Sequence, residues 1–151
     1  MSTMGKADIN IRPMERKDVD GVLAVVRRIS PAESVLTRRK LIAYDPGGPL
    51  DLSFLAEVNN EIVGFVLARL AYVGVPVAEV GIIHTLVVDH DYQRQDIGTR
   101  LLSTLSRCCQ TEGVSQVRAV VDERDVWLRK FFEKMGFHHS ELIIYAKTLE
   151  T

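Results

Sequence analysis

Cysteine is scarce in this chain of 151 residues: there are two, and they are adjacent, Cys108 and Cys109. Neighbouring cysteines in a helical pattern give no disulfide framework, and no Cys/His spacing resembles a zinc site, so two reduced thiols and no metal are expected. An excess of one charge is also missing. Nineteen Lys and Arg stand against twenty Asp and Glu, for a net charge of −1 and a pI of about 6.4. That balance offers no bulk attraction to nucleic acid or to an anionic membrane. No apolar run reaches the ~18 residues that would span a bilayer. Met1 to Ala7 is polar and lacks the apolar core of a signal peptide, so a cytoplasmic location is expected. Repeats, low-complexity tracts and linkers are absent as well. The expectation is one domain over 1–151, with residues 1–8 flexible, and a domain of this length buries roughly 70% of its unfolded surface.

What is present reads as alternating elements. Ile9 to Pro13 is a short edge strand, its proline tolerable only at an edge or strand end. Val19, Val22, Leu23, Val26 and Ile29 recur at helical spacing, predicting a helix over about 16–30 that stops near Ser30-Pro31. A second helix is predicted over about 34–44, with Val35, Leu36, Leu41 and Ile42 apolar, followed by the loop Asp45-Pro46-Gly47-Gly48-Pro49. Leu52 to Val58 and Ile62 to Val73 flank Asn59-Asn60-Glu61 and read as a β-hairpin. Val77 to Val88 is apolar on both faces, as a central strand covered on both sides would be. A helix follows over about 97–112, with Ile97, Leu101, Leu102, Leu105 and Cys108 as its stripe and Gly113 to end it. Val117 to Val121 is a strand, 126–135 a helix closed by Gly136, and Leu142 to Lys147 a last strand. Trp127 and Phe131 are expected in the core. The order implies a mixed α/β (α+β) sheet with helices on both faces.

The most informative stretch is the strand-loop-helix from Val87 to Leu102. A β-branched strand running into a polar loop and a helix N-terminus aims several backbone N–H groups at one spot, where a pyrophosphate could sit. The element order, this stretch, Asn60-Glu61-Ile62-Val63-Gly64-Phe65, and Phe131-Phe132-Glu133-Lys134-Met135-Gly136-Phe137 together resemble the GNAT superfamily of acetyl-CoA-dependent N-acetyltransferases. The resemblance covers nearly the whole chain, beginning at Ile11-Arg12-Pro13 and Asp18. It implies a GNAT-like, mostly antiparallel central sheet, acetyl-CoA as co-substrate, and a small-molecule or peptide amine as acceptor.

By this resemblance, Leu86, Val87 and Val88 would pair with the pantetheine arm as an extra strand would. The loop pattern of the family, Gln/Arg-x-x-Gly-x-Gly/Ala, falls on Gln93-Arg94-Gln95-Asp96-Ile97-Gly98, and N–H groups from Gln93 to Thr99 would hold the pyrophosphate. The middle glycine is Asp96. A carboxylate ~5 Å from the phosphates at an effective dielectric of ~20 would cost roughly 3 kcal/mol before screening. Asp is also a preferred helix cap, so Asp96 either caps outward or competes for the N–H groups of Gly98 and Thr99. The second family segment departs too: Asp125 stands at an Asn position, Leu128 at an Ala, and Phe132 at the Tyr that serves as general acid in many relatives.

Candidates for proton transfer are Glu79 and His84 on the central strand and Tyr145 on the last. Each also has an ordinary reading: an exposed strand-start Glu, a satisfied core His, a common strand Tyr. A bulge in the central strand would swap the face on which His84 lies. The acceptor pocket is expected around 30–50, where Arg38, Arg39 and Lys40 would suit an acidic acceptor or simply form a solvated face. Edge-strand homodimers are frequent in such folds, which leaves a homodimer open. Two functions fit: an N-acetyltransferase working by direct attack of a primary amine, or a catalytically weak or inactive module that binds an acyl-CoA or a partner, as Asp96, Asp125 and Phe132 would suggest.

Overall fold

A computed structural model describes residues 8–29, 36–93 and 95–150. The expectations for a flexible start before residue 8, for the helix stop at Ser30-Pro31, for Val35 and for Arg94 fall outside those residues. The chain divides into two compact units, 1–120 and 121–151.

The first unit is built on a five-stranded sheet whose spatial order follows the sequence: β1 (Ile9–Pro13), β2 (Phe54–Val58), β3 (Glu61–Val73), β4 (Ala78–Val88) and β5 (Val117–Ala119). β1 to β4 are antiparallel neighbours, and β5 runs parallel to β4. The hairpin between β2 and β3 turns on Asn59 and Asn60, both at positive φ (52° and 64°), the backbone that a two-residue turn needs and that Asn tolerates. Helix α1 (Val19–Ile29) follows a 3-10 turn at Arg16–Asp18. Its entry is tied down by Arg12, which donates from Nη1 and Nη2 to Asp18 (2.9 and 2.7 Å) and from Nε to Glu57 (2.8 Å). Asp18 also accepts the Glu15 N–H. A short helix α2 (Arg38–Ala43) starts where the Thr37 hydroxyl accepts the Lys40 N–H.

α1 and α2 pack Val22, Leu23, Val25 and Leu41 against Leu55, Phe65 and Leu67 of the sheet. Helix α3 (Ile97–Thr111) covers the other face: a Cβ built on Gly64, next to Phe65, would point at Ile97, and adjacent strand residues point to opposite faces. Glycine at 64 and 81 lets α3 settle close, with Ile97 Cγ2 and Cys109 Sγ each 3.2 Å from the missing Cβ. The stripe of α3 is Ile97, Leu101, Leu102, Leu105 and Cys109. Cys109 replaces the predicted Cys108, because 101, 105 and 109 follow one another at i+4 along the buried face.

In the second unit, helix α4 (Val126–Lys134) is capped by Asp125, whose carboxylate accepts the Leu128 N–H at 3.0 Å, as the amide oxygen of an Asn at this position would. It closes at Gly136 (φ 93°), where the Phe137 N–H donates to the Phe132 carbonyl at 2.9 Å. Phe132 packs edge-on against Phe137, with ring centroids 4.9 Å apart. Trp127 stacks on Phe131 but is 69% exposed, which corrects the expectation of a core tryptophan. The strand predicted over Leu142 to Lys147 is not formed; these residues have no ladder partner among the described residues, and Ile143 is 75% exposed. Apolar β-branched residues favour a strand only once a neighbouring edge accepts their hydrogen bonds.

Candidate active site

The central feature is a bulge in β4. Thr85 pairs with Leu67 and Ile83 with Ala68, so His84 is the extra residue on its strand. Beyond it, β4 stays paired with β3 as far as Gly64 and Val88, but the pairing with β5 stops at Ile83 and Ala119. From His84 to Val88, therefore, one edge of β4 has no strand partner among the described residues. Leu86, Val87 and Val88 all lie on this segment.

The loop after β4 is held from behind. Asp89, buried, accepts from Arg28 Nε of α1 at 2.9 Å and from the Asp91 N–H at 3.1 Å, while its own N–H donates to the Val63 carbonyl. Gln93 folds back and donates its side-chain amide to the Val88 carbonyl at 3.2 Å. Gln95 Oε1 is buried without a hydrogen-bond partner. Asp96 occupies the N-cap of α3 at φ 58°, ψ 23°, yet its side chain makes no cap hydrogen bond and is exposed. This left-handed backbone is unstrained for glycine and tolerated by Asp, which is a physical reason for a glycine to suit the position. The first N–H groups of α3, from Ile97 to Thr99, are left without a side-chain cap. Ile97 is fully buried and anchors the helix start against Gly64.

A second cluster stands at the bulge. The Tyr44 ring, just after α2, meets the His84 imidazole edge-on at 5.8 Å between centroids, and the Arg69 guanidinium of β3 lies 5.2 Å over the same ring. Partial burial, reinforced by Arg69, pushes the His84 pKa below its ordinary value, so the ring is neutral at pH 7. Burial pushes the Tyr44 hydroxyl well above the usual tyrosine range against the opposing pull of nearby Ser53, and that oxygen makes no hydrogen bond of ordinary geometry. The two buried side-chain atoms left without partners among the described residues, Tyr44 Oη and Gln95 Oε1, thus belong to residues at the two ends of the open stretch of β4.

The other candidates lie elsewhere. Glu79 sits toward the start of β4, opposite Tyr72, whose hydroxyl pKa its carboxylate pushes up. Tyr145 is 91% exposed in the second unit, and Phe132 is buried in α4. Arg38 is paired with Asp20 at 3.1 Å on the surface. Cys109 is buried and its thiol is pushed up to about 11, an inert structural cysteine. Tyr44 and Arg69 were not singled out from sequence. The available signal was a single charge inside the apolar run Phe65 to Val73. Among the described residues, no group of His, Cys, Asp or Glu could hold a metal ion.

Comparison with known proteins points one way. Residues 26–137 match the acetyltransferase (GNAT) family model. An uncharacterized N-acetyltransferase of Methanocaldococcus jannaschii is 29% identical over 91 residues, which is 60% of this chain but only 40% of that protein. Among solved structures, an aminoglycoside acetyltransferase from an uncultured soil metagenomic sample superposes with a TM-score of 0.78 at 19% identity, covering 94% of this chain and 97% of the other. The aminoglycoside N-acetyltransferase AAC(6')-Iy, in complex with CoA, gives 0.82 at 14% identity over 97% and 99%. A ribosomal-protein-alanine N-acetyltransferase from Brucella melitensis gives 0.78 at 15% identity over 95% and 100%. Sheet order, the bulged central strand, the loop leading into α3 and the family match over residues 26–137 agree, and the chain belongs to the GNAT family of acetyltransferases.

Proposed function

We propose that this protein is an N-acetyltransferase that moves an acetyl group from acetyl-CoA to a primary amine by direct attack of the amine on the thioester. The observation that carries the reading is the open edge of β4 from His84 to Val88, which ends at the uncapped N-terminus of α3. Acetyl-CoA supplies an activated acetyl thioester. The chain's own part is to bind and orient it. Backbone groups at 84–88 suit a strand-like pantetheine arm, and the N–H groups from Asp96 to Thr99 suit a pyrophosphate. The exposed Asp96 carboxylate does not occupy those N–H groups, so the residues present fit the ligand.

His84 is the best-placed base. Its neutral ring stands at the bulge, where it can take a proton from the acceptor ammonium, directly or through one water. Backbone N–H groups of the same strand would polarise the thioester carbonyl. The resulting amide keeps the acetyl group, and the sulfur leaves with a proton as free CoA. Phe132 has no proton to give, so the thiolate is protonated by another group, solvent included. Titration calorimetry with acetyl-CoA, followed by detection of free thiol across a panel of amines, tests the reading. No binding at millimolar acetyl-CoA would sink it, and binding without thiol release from any amine would favour an acyl-CoA-binding module.

A further inference from the structure

Four arginines among the described residues are half-buried: Arg12, Arg69, Arg118 and Arg129. Three give their guanidinium to an oxygen: Arg12 to Asp18 and Glu57, Arg118 to Gln116 at 2.6 Å, and Arg129 to the Glu123 carbonyl at 3.0 Å. Arg69 alone has neither hydrogen bond nor ion pair within the described residues, only the face of Tyr44. The acid directly opposite, Asp51, pairs with Arg69 in an isolated antiparallel bridge. Its carboxylate is turned to other work, accepting the Gly47 N–H at 2.8 Å and the Ser53 N–H at 3.1 Å.

The Arg69 nitrogens have no partner among the described residues and are not sealed from solvent, so they stay open to an anionic ligand. Tyr44 lies under this guanidinium, 5.2 Å from Cζ to the ring centroid, and meets His84 on the same ring. Arg69 faces Ile82, two residues before the bulge, so its guanidinium stands beside the place where an acceptor amine would meet His84. A planar guanidinium carries its N–H donors as a fork, which matches a carboxylate.

We propose that Arg69 is the carboxylate-binding residue of the acceptor site, and that the amine acetylated by this protein carries a carboxylate close to the amine. The inference rests on the acetyl-transfer reading and names its acceptor class. It also departs from the expectation that Arg38, Arg39 and Lys40 would serve an acidic acceptor, since Arg38 is already paired with Asp20.

One test needs no turnover. N-Acetylglycine and its neutral counterpart N-acetylglycinamide are titrated into the 151-residue chain, and the His84 ring resonances are followed by NMR. The carboxylate is expected to give a saturable shift with at least tenfold tighter binding than the amide. Arg69→Gln should remove the difference, and Arg69→Lys, which keeps the charge, should retain part of it. Acetyl-CoA affinity, measured separately, should stay within twofold in both variants, which also shows that they fold. Equal response to the two probes, or a preference that survives Arg69→Gln, overturns the proposal. Failure of acetyl-CoA itself to bind the wild type would instead overturn the acetyl-transfer reading.

Discussion

Replacing Asp96 separates two physical effects that share one residue. The first is charge. At ~5 Å from a phosphate, a carboxylate would cost roughly 3 kcal/mol at an effective dielectric of ~20, and about 0.8 kcal/mol at the value of water. The side chain is exposed and makes no hydrogen bond to the helix start, so the lower figure applies, and salt reduces it further. Asp96→Gly and Asp96→Asn should therefore tighten acetyl-CoA binding by only about two- to fourfold at low salt, and by less at 0.5 M salt. The second effect is backbone strain at φ 58°. Gly and Asn both tolerate this region, whereas Ala does not, and a side chain without local hydrogen bonding costs ~1 kcal/mol or more there. Asp96→Ala should gain the same affinity yet lose about 1 kcal/mol of stability relative to Asp96→Asn. Calorimetry at two salt concentrations reads the first effect and urea midpoints read the second. A gain of fiftyfold or more would mean that the carboxylate occupies the phosphate's place. Equal stability of the Ala and Asn variants would refute the backbone argument.

Other outcomes follow from the same structure. His84→Gln should lower kcat/KM by about 10²- to 10⁴-fold if His84 is the base. In the wild type the acid limb should lie below pH 6.5, because burial and Arg69 hold the imidazole neutral, and Arg69→Gln should move that limb upward. Arg12→Met should cost about 3 kcal/mol in urea unfolding, since it strands the nearly buried Asp18 carboxylate beside Glu57. Arg12 holds both carboxyls below their ordinary values; burial pushes Asp18 up, but its bonds to Arg12 and the Glu15 N–H outweigh that. Their folded pKa values lie below the unfolded ones, so this stability is complete above about pH 5 and is lost as pH falls through the folded values. The gap between wild type and Arg12→Met should accordingly close below about pH 4. Gly64→Ala should destabilise by about 1–3 kcal/mol, because its Cβ would stand 3.0 Å from the Val87 carbonyl oxygen and 3.2 Å from Ile97. Gly81→Ala should cost less than Gly64→Ala when the two are compared by urea unfolding, because the atoms it meets, Cys109 Sγ and Leu52 Cδ1, are side-chain ends that can move.

Much of the frame was legible because it is written in local signals. The apolar spacing of Val19, Val22 and Leu23 marks α1 whatever packs against it, and Gly113 and Gly136, both at positive φ, mark where α3 and α4 stop. The strand-loop-helix from Val87 onward was readable for the same reason. Less legible were features that depend on a neighbour. Leu142 to Lys147 has the composition of a strand but no ladder partner among the described residues, and composition cannot supply one. Cys108 and Cys109 stand at i+3 and i+4 from Leu105 and both suit a helical stripe; the run 97, 101, 105 favours Cys109, and its packing over Gly81 settles it.

By itself, the sequence determined the element order as far as α4, the ends of α3 and α4 at Gly113 and Gly136, and the family: the elements and their ends rest on residues within a few positions of one another, and the family on their order and motifs. Only the tertiary structure decided the site. The bulge at His84 depends on how β3 and β4 register, the open edge beyond it on where β5 stops pairing, and the meeting of Tyr44, Arg69 and His84 on three segments brought to one place. Asp96 shows both levels at once. Its identity announced a departure from the family pattern, but its left-handed backbone and its exposed, unbonded carboxylate are set by how the loop enters α3.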